Sequence, residues 1–262
     1  MTKLFHVSDV HFGAEDPAAI DWFAACVADE RPDAVVMTGD LTMRALPAEF
    51  EAGGRWLQSL GVPVTVEIGN HDIPYYNDML RRLVRPYRRY TAVERMIERP
   101  LDVAGVTVVP LKTIARLQWR VDQSKGRVSD RSLAAALQLI AAAPRDHVIL
   151  VAAHHPLIDT TGYATRTHGG EAALTALAAA GADAVLTGHV HDPFDVPVER
   201  AGRTMRMIGA GTLSKRTRSS PPAFNELRLS GKRLETIART LSPAPDPVIG
   251  AGRLAPGGGE PA

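Results

Sequence analysis

Six of the nine histidines in this 262-residue chain stand just after short apolar runs. They fall, with aspartate and asparagine, into five clusters: Asp9-Val10-His11, Gly39-Asp40, Gly69-Asn70-His71-Asp72, His154-His155 and Gly188-His189-Val190-His191. A lone histidine at a strand end is an ordinary turn or core residue, whereas five such clusters in one chain point to a shared site. Imidazole nitrogen and carboxylate oxygen suit Zn, Mn, Fe or Ni, and thiolate is absent, Cys26 being the single cysteine. Asp9 and His11 are two residues apart, so both reach one ion if the chain leaves strand geometry there; His189 and His191 have the same spacing. Asp40 carries two carboxylate oxygens and can bridge two ions. Seven donors exceed the four that a structural zinc takes. Two ions roughly 3.5–4 Å apart are the better count, and they suit attack by a bridging hydroxide on a phosphate ester.

The elements that must position these groups follow from the apolar pattern. Leu4–Ser8, Ala34–Met37, Val62–Ile68, His147–Ala153 and Ala184–Thr187 read as buried strands, each running into one cluster. Helices are expected from Pro17 to Asp29, Pro47 to Leu60, Ser129 to Ala142 and Gly169 to Ala180, with Asp16 capping the first and Gly61 closing the second. The alternation predicts an α/β fold with helices on the sheet faces. Ligands of such sheets bind at the carboxyl ends of strands, so the clusters are expected along one edge. A hairpin is expected over Leu101–Val103 and Val106–Pro110. After residue 193 the pattern turns to Phe194–Val198, Thr204–Ile208, Ala223–Leu229 and Leu234–Ala238, which predicts a second, mostly antiparallel sheet. One domain over residues 1–241 is expected, with an arginine-rich insertion at 75–99 and a disordered Pro/Gly-rich tail at 242–262.

Composition narrows the function. The net charge of +1 excludes electrostatic capture of nucleic acid by the molecule as a whole, and no aromatic-basic stacking face accompanies it. No stretch approaches the roughly 18 apolar residues of a membrane span. The N-terminal apolar run is too short for a secretory signal. A soluble, cytoplasmic protein without an internal disulfide is expected.

Asp-x-His, Gly-Asp, Gly-Asn-His-Asp, His-His-Pro and Gly-His-x-His, in this order from about Lys3 to Leu213, strongly resemble the calcineurin-like metallophosphoesterase superfamily. Ser8, Asp9 and His11 with Gly69 to Asp72 look like the bacterial cyclic-nucleotide phosphodiesterase-like members. The resemblance implies a two-sheet β-sandwich flanked by helices, in four α/β/β/α layers, with a dinuclear site at its edge. It implies Asp9, His11, Asp40 and His191 on one divalent ion and Asp40, Asn70, His154 and His189 on the other, the ions being Mn, Fe or Zn. His71 would stabilise the phosphoryl group or protonate the leaving oxygen, with Asp72 orienting it.

The substrate expected is a small phosphodiester, cyclic-nucleotide-like. The alternatives are a phosphomonoester and a UDP-diacylglucosamine-type pyrophosphate. His71 counts against the latter, because enzymes of that pathway typically carry arginine there. A non-catalytic metal-binding scaffold would lack a ligand or His71, and none is missing. Arg116, His155 and His168 are further candidates for substrate contact, and the arginines of 75–99 for a basic rim. Arg216 and Arg218 stand in another rim loop, where a plain connection between strands is the favoured reading. Apolar residues within 75–99 leave a homo-oligomer open.

Overall fold

A computed structural model describes residues 1–74, 88–97, 101–114, 125–159, 167–242 and 246–254. Two sheets pack face to face. The first runs in the order β11-β10-β9-β1-β2-β3, built from β1 (Thr2–Val7), β2 (Ala34–Met37), β3 (Val64–Val66), β9 (Ala223–Ser230), β10 (Arg233–Thr240) and β11 (Val248–Arg253). The second runs β4-β5-β6-β8-β7, from β4 (Val106–Pro110), β5 (Val148–Ala152), β6 (Ala184–Thr187), β7 (Phe194–Arg200) and β8 (Arg203–Gly209). The strands that precede the clusters are parallel: β1 with β2, β2 with β3, and β5 with β6.

Period-2 alternation sorts the apolar side chains into layers. Leu4, Ala34, Val36, Leu150, Ala152, Ala184, Leu186 and Ile208 meet between the sheets. Their neighbours Phe5, Val7, Val35 and Met37 turn to the other face, where they pack with Phe23, Val27, Phe50 and Leu57 of α1 (Pro17–Glu30) and α2 (Pro47–Ser59). A third helix, α3 (Arg88–Ile97), adds buried Tyr90 and Val93 to that layer. Ile149, Val151, Val185 and Met207 face α4 (Asp130–Ala142) and α5 (Gly170–Ala179) on the far side. Strands buried on both faces read as continuous apolar runs, which is why they were legible. Asp16 caps α1 by accepting from the Ala18 amide at 3.0 Å, and Ser129 caps α4.

Three expectations are corrected. The four late strands do not form a sheet of their own: β7 and β8 extend the sheet of β4–β6, while β9 pairs antiparallel with β1. Hairpin signals identify neighbours in sequence but not the edge they join. The turn at Ala104 and Gly105 is present, yet Leu101–Val103 is not a strand; Val106–Pro110 pairs in parallel with β5. Within the tail expected to be disordered, β11 pairs antiparallel with β10, because the open edge of β10 supplies partners for the backbone whatever the side chains. Arg116, most of the 75–99 segment and residues 160–166 lie outside the described residues. Among the described residues no helix is long and apolar enough to cross a membrane.

Candidate metal centre

Each cluster sits where a strand ends, and the chain leaves strand geometry there. Asp9, His11, Asp40, His189 and His191 all have positive φ, between 51° and 69°. Left-handed backbone is costly for residues with a Cβ, and it gathers where a site over-determines it. It is also what turns Asp9 and His11, two residues apart, toward one point. The glycines of the motifs serve close approach. A Cβ on Gly188 would fall on Ser8 Oγ, and one on Gly69 on the Asp40 carboxylate. The ends of β1, β2, β3 and β6 therefore approach more closely than side chains on these residues permit.

The side chains converge on a buried cluster. Asp9 Oδ1 lies 3.1 Å from His191 Nε2 and 3.6 Å from His11 Nε2. Asp40 Oδ2 lies 3.4 Å from His154 Nε2 and 3.8 Å from His11 Nε2, midway in the group. Asn70 Oδ1 lies 3.1 Å from His154 Nε2. The donor atoms of four trios lie within 4.8 Å of one another: Asp9, His11 and His191; Asp9, Asp40 and His154; His11, Asp40 and His71; His154, His155 and His189. Shared members join the trios into one site. The structure thus brings together every residue that sequence pattern assigned to metal.

Backbone carbonyls set the tautomers. His154 Nδ1 lies 2.8 Å from the Thr38 carbonyl oxygen and His191 Nδ1 2.6 Å from that of Arg216. A carbonyl only accepts, so Nδ1 donates and the Nε2 lone pair is left for a cation. The remaining carboxylate oxygens are occupied: Asp9 Oδ2 accepts from the His189 amide and Asp40 Oδ1 from the His71 amide, both at 2.8 Å.

Charge is distributed accordingly. Burial pushes the imidazoles of His11 and His189 down to about 4, which keeps them neutral. Burial also opposes charge on His154, but Asp40 and Asp9 outweigh it and push that group up to about 9, so a cation at Nε2 would take the place of a proton there. Both carboxyls stay below the usual range despite burial, Asp9 through His191 and Asp40 through His154.

A cation fits these donors. Asp9 Oδ1 is buried and makes no hydrogen bond, and the atoms that face it are the Nε2 nitrogens of His191 and His11. With the convergent Nε2 atoms, it presents the hard and borderline donors that divalent Mn, Fe or Zn accepts.

The roles expected around the cluster need revision. His71 is partly exposed, and its Nδ1 donates to the Met43 carbonyl at 2.8 Å, leaving Nε2 toward the cleft. Asp72 does not orient that ring. Its Oδ1 accepts from the Thr42 amide at 2.8 Å and Thr42 Oγ1 at 2.9 Å, and its Oδ2 from Gly69 at 2.9 Å and Leu41 at 3.3 Å. It clamps the loops after β2 and β3 to each other. His155 is not a substrate contact: it is 1% exposed, edge-on to His154 and tilted against His189, with Nδ1 3.0 Å from Thr113 Oγ1. His168 is exposed but lies on a backbone bridge with Arg127, away from the cleft lining.

Arg216, given less weight by the sequence, is at the site. Its Nη1 lies 3.2 Å from His71 Nε2 and 3.3 Å from His11 Nε2. Among Lys215, Thr217 and Arg218 it reads like any solvated loop residue, and only its place beyond the end of β8 hinted otherwise. A cleft of about 470 Å³ opens over the cluster, lined by Asp40, Asn70, His71, His189, His191, Arg216, Thr217 and Arg218.

Solved structures share this architecture. A dimetal phosphatase from Danio rerio is 15% identical, with a TM-score of 0.63 over 95% of this chain and 98% of that one. The purple acid phosphatase PPD1 from yellow lupin (Lupinus luteus) seeds is 13% identical, with a TM-score of 0.65 over 91% of this chain and 51% of that one. GAP50, the anchor in the inner membrane complex of Plasmodium, is 13% identical, with a TM-score of 0.63 over 97% and 88%. At these identities the likeness is one of fold. No curated protein sequence matches the chain. The model of the calcineurin-like phosphoesterase family matches residues 2–193, a span that contains all seven candidate metal donors and both sheets' site-bearing strands. On that match, and on a fold and donor cluster that agree with it, the chain belongs to the calcineurin-like phosphoesterase family.

Proposed function

We propose that this protein hydrolyses a small, polar phosphodiester of the cyclic-nucleotide kind at a centre of two divalent cations. Asp9, His11, Asp40 and His191 would hold one cation, and Asp40, Asn70, His154 and His189 the other. Such a pair supplies the Lewis acidity that activates water and neutralises charge on phosphoryl oxygens. The surrounding residues have narrower tasks. His71 meets the leaving-group side of the cleft. With Nδ1 held by the Met43 carbonyl, Nε2 is the atom that would serve the departing oxygen, as proton or hydrogen-bond donor once Arg216 Nη1, 3.2 Å away, turns from it. Asp72 keeps the Asn70 and Asp40 loops in register through its four backbone and hydroxyl donors.

The polarity of the cleft carries the substrate reading. Its described lining consists of acid, amide, imidazole, guanidinium and hydroxyl groups, with no apolar side chain among them. A lipid-linked pyrophosphate needs an apolar surface beside the reacting phosphate to accept acyl chains; a small polar ester does not. Complete retention of the donors and of His71 speaks against a non-catalytic scaffold.

The test is a hydrolysis panel on manganese-loaded protein with bis-p-nitrophenyl phosphate, p-nitrophenyl phosphate and cyclic AMP, using Asp40→Ala as the blank. Diester and cyclic AMP turnover that vanishes in the variant is the expected result. Monoester turnover alone would reassign the protein as a phosphomonoesterase, and no turnover with both ions bound would return the scaffold reading.

A further inference from the structure

The loop after β8 is tied to the metal centre at three points. Thr212 Oγ1 donates to the Asp9 carbonyl at 2.6 Å. The Arg216 carbonyl accepts from His191 Nδ1 at 2.6 Å. Asp192, beside His191, accepts from the Ser219 amide at 3.0 Å and the Ser220 amide at 2.9 Å. Within the loop, Ser214 Oγ lies 2.7 Å from Thr212 Oγ1 and accepts from the Arg216 amide at 3.2 Å. The Arg216 backbone thus cannot move without disturbing Asp9 or His191. Its side chain, several bonds longer and exposed, can.

We infer that Arg216 is a substrate-binding residue whose guanidinium clamps the phosphoryl group between the metal centre and His71, an assignment that rests on the phosphoesterase reading above. Two ring nitrogens, with Met43 Sδ at 3.8 Å, define where the guanidinium stands. His11 Nε2 faces Asp9 Oδ1 and Asp40 Oδ2, inside the donor cluster. His71 Nε2 faces the cleft. Arg216 Nη1 lies within 3.3 Å of both, so it occupies the interval between cluster and acid that a bound phosphoryl group must also reach.

Both short contacts are to imidazole nitrogen, the third and longer one is to Met43 Sδ at 3.8 Å, and among the described residues no carboxylate pairs with this guanidinium. When His11 gives its Nε2 lone pair to a cation, the Arg216 N–H needs a new acceptor. A phosphoryl oxygen offers an anionic one, and the planar fork of arginine matches two such oxygens. A prop for the His71 ring would need no charge, and it would not affect the binding of free phosphate.

The test compares wild type, Arg216→Ala and Arg216→Lys, all manganese-loaded. Metal content is read by plasma mass spectrometry, inorganic phosphate affinity by titration calorimetry, and kcat and KM on whichever ester the panel identifies. The inference expects unchanged metal content, phosphate binding weakened about tenfold or more in Arg216→Ala, a KM that rises more than kcat falls, and partial recovery in Arg216→Lys. Unchanged phosphate affinity in Arg216→Ala overturns it, as does loss of metal from that variant, which would make Arg216 a support for the ligands. A wild type that neither hydrolyses an ester nor binds phosphate overturns the phosphoesterase reading and this assignment together. An active, phosphate-binding wild type beside an indifferent Arg216→Ala overturns this assignment alone.

Discussion

His154, at the end of β5 in one sheet, donates its Nδ1 proton across the sandwich to the carbonyl of Thr38, at the end of β2 in the other, over 2.8 Å. The same bond fixes which nitrogen of a candidate metal donor faces the cluster and closes the edge of the fold. Removing the imidazole therefore has two expected effects. His154→Ala should lose metal, and with chelator present it should still be about 1 kcal/mol less stable than wild type, because the buried carbonyl loses the shorter of its two side-chain hydrogen bonds and keeps only Ser8 Oγ at 3.2 Å. His189→Ala should lose metal without that deficit, since the bond from position 189 to Asp9 comes from the backbone. Urea denaturation of both variants in chelator checks this.

His71→Ala is expected to keep two ions per chain and lower kcat by about 10²–10⁴, the usual span for a lost general acid. Because His71 shares a trio with His11 and Asp40, its metal content is informative. A variant short of one ion would make it a ligand.

Asp72→Asn separates clamp from catalyst. An amide nitrogen would face one of the donors that the carboxylate now accepts, at a cost of about 2 kcal/mol. A lower Tm is expected, with the pH profile of kcat unchanged, since Asp72 has no part in holding the His71 ring. A shifted profile would restore the orienting role.

Stability at low pH should depend on His6. Burial pushes its imidazole down to about 3, and its Nε2 lies 3.0 Å from Thr38 Oγ1. The folded state holds it neutral, while the unfolded chain takes up a proton below about 6.5. The contribution is therefore complete above pH 6.5 and lost as pH falls toward 3, at up to about 1.4 kcal/mol per pH unit. Denaturation of wild type and His6→Gln at pH 7 and pH 5 should give a steeper loss in wild type. Equal losses would contradict the neutral, buried His6.

The cluster was legible because Asp, Asn and His stand together where five apolar runs stop, and strand ends along one edge bring such residues to one place. Strands buried on both faces were legible through their unbroken apolar runs. Partnerships made through the backbone were not. Nothing in Thr38, Met43 or Thr42 marks their carbonyls or amides as partners of His154, His71 and Asp72. The side chains in β9 read the same whether it pairs with β1 or with β8, and β11 forms from a glycine- and proline-rich stretch because an edge was open to it. Arg216 was underweighted because charge in a loop has no periodicity to betray its direction.

The central claim, that one carboxylate joins two ions, is tested most directly by metal stoichiometry. Asp40 lies between His154 and His11, with Oδ2 3.4 Å and 3.8 Å from their Nε2 atoms. Plasma mass spectrometry of manganese-loaded protein should find two divalent ions per chain in the wild type and one or none in Asp40→Ala. A wild type that holds a single ion, or an Asp40→Ala variant that keeps two, would contradict the account.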